Sequence, residues 1–146
     1  MKVTISRRIH ASVKTVFRTI SDIRNFSNAV PDVVDVEFLT DQKTGVGTRF
    51  KETREFRGRE MSTVLEVTEY EENEKIRLIS DAQGTVWDST FIVEDLEGST
   101  ELTLVMKAKP YKFFARIMNL FMKGFMKKAL AKDMDAVKNY CEKRSL

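Results

Sequence analysis

The sequence predicts an α+β domain in which a seven-stranded antiparallel sheet is covered by one long C-terminal helix, with two short helices after the first strand. Three observations lead there. Apolar and polar residues alternate through Val3 to His10 and again through most of residues 33–107, which is the period-2 mark of half-buried strands. Short turns separate these stretches with no helix between them, so neighbours pair antiparallel, because parallel neighbours need crossovers of about a dozen residues. From Tyr111 to about Lys143 the pattern becomes helical, enough for roughly nine turns.

Each element follows from its residues. In the first strand Val3, Ile5, Arg7 and Ile9 alternate with Thr4, Ser6, Arg8 and His10. Ser12 is a good helix N-cap, and Val13, Val16, Phe17 and Ile20 then recur at spacings of three and four, the stripe of a short amphipathic helix. Asp22 is placed to cap a second short turn through Ile23 and Phe26, which Pro31 ends by forcing Val30 toward an extended conformation. Six strands follow: Val33 to Thr40, Thr48 to Phe56, Met61 to Tyr70, Lys75 to Ser80, Thr85 to Glu94 and Thr100 to Lys107. Gly45 and Gly47, Gly58, the polar run Glu71 to Glu74, Gly84 and Gly98 supply the turns.

Pro110 precedes the long helix, where a missing backbone N–H costs least. In its first half Lys112, Arg116, Asn119, Lys123 and Lys127 form one narrow polar stripe. Apolar residues fill the rest of the circumference, more than packing on one sheet face requires. Gly124 is a candidate bend. Beyond it Leu130, Met134, Val137 and Cys141 form an ordinary single stripe.

Composition bounds the function. A chain of 146 residues, 42% hydrophobic and 32% charged, is sized and composed for one globular domain, residues 1–146. The charged N-terminus lacks a signal-peptide apolar core, and no apolar run reaches the ~18 residues of a spanning helix. A cytoplasmic location is the expectation. The single cysteine, Cys141, has no partner for a disulfide or a zinc knuckle. His10, the only histidine, gives little support to metal or triad chemistry. No nucleotide, dinucleotide or zinc-protease motif occurs, so no cofactor, metal or nucleic-acid partner is expected. Charge is unevenly spread: residues 107–146 hold 11 Lys and Arg against 3 Asp and Glu, leaving 14 against 19 in residues 1–106.

The stretch Ile9-His10-Ala11-Ser12-Val13-Lys14-Thr15-Val16-Phe17 leading to Ser21-Asp22, then Phe26 and Pro31, opens a specific resemblance. Gly45-Val46-Gly47-Thr48-Arg49-Phe50, Val67-Thr68-Glu69-Tyr70 before a polar turn, and Gly98-Ser99-Thr100-Glu101-Leu102-Thr103 extend it over essentially the whole chain. These residues resemble the START-like, polyketide cyclase/dehydrase (SRPBCC) superfamily, in the branch sharing the helix-grip fold of the birch-pollen allergen. Phe26 stands where many relatives have Trp. The resemblance implies a curved sheet gripping the long helix around a cavity for lipids, sterols, hormones or polyketides. It carries over no catalytic residue, because active residues differ between branches.

Strand alternation then nominates the ligand-binding side chains. Phe50, Glu52, Arg54 and Phe56 share one face of the third strand, Trp87 and Phe91 one face of the sixth, and Leu104 lies on the seventh. Phe114, Ile117, Met118, Phe121 and Phe125 are the candidates on the helix. Glu52 and Arg54 are expected either to pair or to meet a polar end of the ligand. The expected function is binding or carriage of a small hydrophobic ligand. The alternative is a cyclase- or dehydratase-type enzyme, with Glu52 as acid–base and Arg54 or Tyr70 positioning a carbonyl. The basic, apolar first half of the helix is also expected to touch anionic membrane transiently during uptake or release.

Overall fold

A computed structural model describes residues 1–145. In chain order the elements are β1 (Lys2–Ile9), α1 (Val13–Ser21), α2 (Ile23–Ala29), β2 (Val33–Phe38), β3 (Arg49–Phe56), β4 (Arg59–Glu71), β5 (Lys75–Ala82), β6 (Thr85–Asp95), β7 (Thr100–Pro110) and α3 (Phe113–Arg144). The strands form one seven-stranded sheet in the order β1-β7-β6-β5-β4-β3-β2, antiparallel throughout. Strands β2 to β7 are a meander, and β1 adds to its far edge beside β7. The two short helices therefore carry the chain from one edge of the sheet to the other.

Local chemistry explains the turns. The β3–β4 and β5–β6 hairpins are closed by Arg57-Gly58 and Gln83-Gly84, all four residues at positive φ (52°, 78°, 53° and 81°). Two central residues in the left-handed region define a type I′ turn, whose twist matches that of the strands it joins. Register shifts at Val33/Asp35 and Val67/Glu69 are the bulges that bend the sheet and deepen its twist. Ser12 caps α1 by accepting from the Thr15 N–H at 3.2 Å, and Asp22 caps α2 by accepting from the Arg24 N–H at 3.0 Å.

Cross-strand rows build the concave face. Ile5, Leu104, Phe91 and Ile76 stand side by side across β1, β7, β6 and β5. Against this face pack Val16, Phe17 and Ile20 of α1, Ile23 and Phe26 of α2, and Met134, Val137 and Cys141 of α3. Phe17 meets Tyr70 edge to face at 5.4 Å.

Helix α3 is held differently along its length. Its entry is pinned to the β5–β6 turn: the Tyr111 and Lys112 N–H groups both donate to the Gly84 carbonyl, and the Tyr111 hydroxyl donates to Asp81 at 2.7 Å. A side chain at Gly84 would also run into Lys112 at 2.8 Å. These bonds explain why the helix starts at Phe113, two residues later than periodicity alone suggests. Gly124 interrupts nothing, since α3 runs unbroken through it. The C-terminal half is buried on β1 and α1. In the N-terminal half the best-buried residues are the row Ala115, Asn119, Met122 and Met126, whose spacing of four, three and four is one helix face. Asn119, expected in the polar stripe, is instead buried here, where its amide donates to the Ala115 carbonyl at 2.8 Å and to Thr85 Oγ1 at 3.3 Å.

Candidate functional site

A cavity of about 120 Å³ lies under the middle of α3. Its floor is the concave face: Phe50 of β3, Leu65 and Val67 of β4, Ile76 and Leu78 of β5, Ser89 and Phe91 of β6, and Leu104 of β7. Alternation in each strand aims these residues the same way, and the registers Phe50↔Leu65, Val67↔Leu78, Leu78↔Ser89 and Phe91↔Leu104 bring them together. Ile20, Ile23 and Phe26 close one side, Lys43, Thr44 and Thr48 another, and Leu130 and Asp133 of α3 form the roof.

One wall is ionic. Arg54 Nε donates to Glu52 Oε1 at 2.6 Å, and Arg54 Nη1 donates to Asp133 Oδ1 at 3.0 Å while lying 2.9 Å from Oδ2. The side chains are 12% (Glu52), 33% (Arg54) and 11% (Asp133) exposed. Two carboxylates thus share one guanidinium, and Nη2 has no bond among the described residues. Burial pushes the Asp133 carboxyl above its ordinary value, and Arg54 only partly offsets this. Burial also works against charge on Arg54, but Glu52 and Asp133 outweigh it and hold the guanidinium more firmly protonated than usual. At the opposite wall, the buried Thr48 Oγ1 finds no partner among the described residues. A buried polar atom left unpaired costs about 1–3 kcal/mol, so this hydroxyl is an open hydrogen-bonding position.

Of the side chains that alternation nominated, Phe50, Glu52, Arg54, Phe91 and Leu104 line the cavity. Phe56, Trp87, Phe114, Ile117, Met118, Phe121 and Phe125 lie outside its lining. Phe56 is at the tip of β3, where its ring meets Phe125 edge to face at 5.6 Å. Trp87 is half-buried further along the concave face, opposite Ser80 and Ala108. The helix residues are displaced for a reason of phase: the row from Ala115 to Met126 faces the sheet, which turns Phe114, Ile117 and Phe121 away from it. Tyr70 packs on Phe17 and does not line the cavity. Asp133 and Thr48 are the contributors that strand alternation could not reach.

A second ionic group lies outside the cavity. On the convex face Arg77 is clamped between Asp88 at 2.6 Å and Glu69 at 3.1 Å, with Lys75 and Lys109 alongside. His10 is exposed at the end of β1, and its backbone N–H donates to Glu142. Among the described residues no three His, Cys, Asp or Glu cluster as metal ligands, and no helix is long and apolar enough to cross a membrane.

A sheet wrapped around a long helix, with an apolar cavity between them, defines a helix-grip domain. The chain belongs to the polyketide cyclase/dehydrase and lipid transport family, whose sequence profile matches residues 1–142. Similar solved structures include TTHA0849 from Thermus thermophilus, at 15% identity and a TM-score of 0.81 over 100% of both chains. The di-domain aromatase/cyclase BexL of the BE-7585A biosynthetic pathway matches at 13% identity and a TM-score of 0.80, over 97% of this chain and 46% of that one. A point mutant of Thalictrum norcoclaurine synthase, in complex with a transition-state analogue, matches at 13% identity and 0.77, over 100% of this chain and 96% of that one. A search of curated sequences found no match.

Proposed function

We propose that the protein binds a small apolar molecule bearing one polar group in the cavity beneath α3. The supporting observation is a largely apolar chamber with one ion-paired wall, Glu52–Arg54–Asp133, because ligand sites are typically apolar with a few placed polar groups. Volume narrows the class. An apolar cavity of about 150 Å³ is known to take benzene, so about 120 Å³ suits one ring, or the ring end of a larger molecule. A whole sterol or lipid needs more space, which the lightly held N-terminal half of α3 is placed to release.

A second reading is favoured by one observation: Asp133 supplies beside Glu52 the second carboxyl that acid–base chemistry needs and the sequence pattern lacked. In that reading Arg54 Nη2 donates to a substrate carbonyl, and Glu52 or Asp133 moves a proton. The two readings separate on turnover, since a carrier returns an aromatic ketone unchanged.

The test of binding is a titration of methyl-labelled protein with p-cresol, followed by NMR. A ligand of this size, at about 0.5 kcal/mol per heavy atom, gives a dissociation constant on the order of 1 mM. The expected result is saturable shifts at the methyls of Val67, Leu78, Leu104 and Leu130. Shifts confined to the outer face of α3, or none, would overturn the proposal.

A further inference from the structure

The outward face of α3 is unlike the rest of the surface. Phe113, Ile117, Leu120 and Phe121 follow one another at spacings of four, three and one, so they form a single stripe on the side opposite the buried Ala115–Met126 row. Phe113, Leu120 and Phe121 are 78%, 79% and 79% exposed, and Phe114 flanks them at 72%. Isolated exposed apolar residues need no explanation, but a contiguous aromatic patch marks an interaction site. Along one edge of the stripe runs a basic row, Arg116, Lys123 and Lys127, each exposed. Residues 113–132 contain five Lys and Arg and no Asp or Glu.

We infer that this face docks on an anionic lipid bilayer, the helix lying in the plane of the headgroups with Phe113, Leu120 and Phe121 inserted. The occupant follows from charge. An apolar stripe edged by cations on one helix is the composition of an interfacial helix, whereas a second copy on the same face would bring two basic rows together. The inference is independent of what the cavity holds.

Flotation with vesicles of phosphatidylcholine alone, or mixed with phosphatidylglycerol, tests it. Each basic side chain near an anionic surface strengthens partitioning on the order of five-fold. Arg116→Gln/Lys123→Gln/Lys127→Gln is therefore expected to weaken binding to the anionic vesicles on the order of 100-fold, and Leu120→Ser/Phe121→Ser by a similar factor. All five positions are exposed, so the thermal melts of both variants stay with that of the wild type. Raising salt from about 0.1 M to about 1 M shortens the screening length from about 10 Å to about 3 Å and is expected to release the protein. Absence of binding to anionic vesicles at low salt, or equal binding to neutral ones, overturns the inference. So does a dimer, seen by sedimentation without vesicle binding, that Leu120→Ser/Phe121→Ser dissociates, for then the occupant is a second copy.

Discussion

Replacing Arg54 by Met is expected to destabilise the fold by about 3 kcal/mol at neutral pH, the largest effect of any single change at the cavity. The guanidinium is the shared partner of Glu52 at 2.6 Å and Asp133 at 2.9 Å. Removing it leaves two carboxylates facing one another, largely out of water. Breaking a fully buried pair costs about 3–5 kcal/mol, and the 33% exposure of Arg54 moves the expectation to the lower end through solvent screening. The loss also depends on pH. Burial already raises Asp133 above its unfolded value, so between the two values the folded state holds more protons than the unfolded, and stability falls as pH rises. Without Arg54 nothing opposes that rise, and the window extends upward. Urea unfolding of Arg54→Met is therefore expected to show a smaller deficit at acid pH, where the raised Asp133 carboxyl takes up its proton, than at pH 7. An equal deficit at both would mean that Arg54 contributes packing and not charge compensation.

Filling the chamber from its floor is expected to abolish ligand binding while sparing the fold. Ser89 lines the cavity from β6, between Leu78 and Met106 on the neighbouring strands. Ser89→Phe places a ring in the space proposed for the ligand. Overpacking a filled core costs about 1–3 kcal/mol, but here the ring enters space that is already open, so stability changes by less than about 1 kcal/mol. Affinity for p-cresol is expected to fall at least about tenfold, or 1.4 kcal/mol, whereas Ser89→Ala retains it. A Ser89→Phe protein that binds p-cresol as the wild type does would move the binding site elsewhere.

The sheet was legible because its signal is local. Strand alternation and the Gly58, Gly84 and Gly98 turns carry it, and the alternation that aligned Phe50, Glu52 and Arg54 also pointed them at the cavity. The polar wall was half legible. Asp133 lies 79 residues beyond Arg54, between Lys132 and Asp135, and reads as one more surface charge. Its phase was nonetheless informative, since it stands three residues after Leu130 on the side of the Leu130, Met134, Val137 and Cys141 stripe. Thr48 gave no signal, because its burial depends on how residues 43–48 fold over the cavity rim.

The N-terminal half of α3 shows the opposite difficulty. The narrow polar stripe of Lys112, Arg116, Asn119, Lys123 and Lys127 set a phase that was misleading because Asn119 is buried, and it made the bulky Phe114, Ile117 and Phe121 look like the inner face. The small Ala115 and the amide of Asn119 take that place instead, the latter bonded to Thr85. Strands fix which side chains share a face through their backbone, whereas a helix apolar over most of its circumference takes its orientation from the contacts at its ends, here the Gly84 turn and the β1–α1 seat.

Native mass spectrometry of freshly purified protein, followed by extraction and identification of whatever it retains, tests the central claim most directly. The account predicts a mass excess in the wild type from a small apolar compound with one polar group, present at a lower level in Ser89→Phe. Wild-type protein at its bare sequence mass, which stays bare after incubation with single-ring phenols, would contradict it.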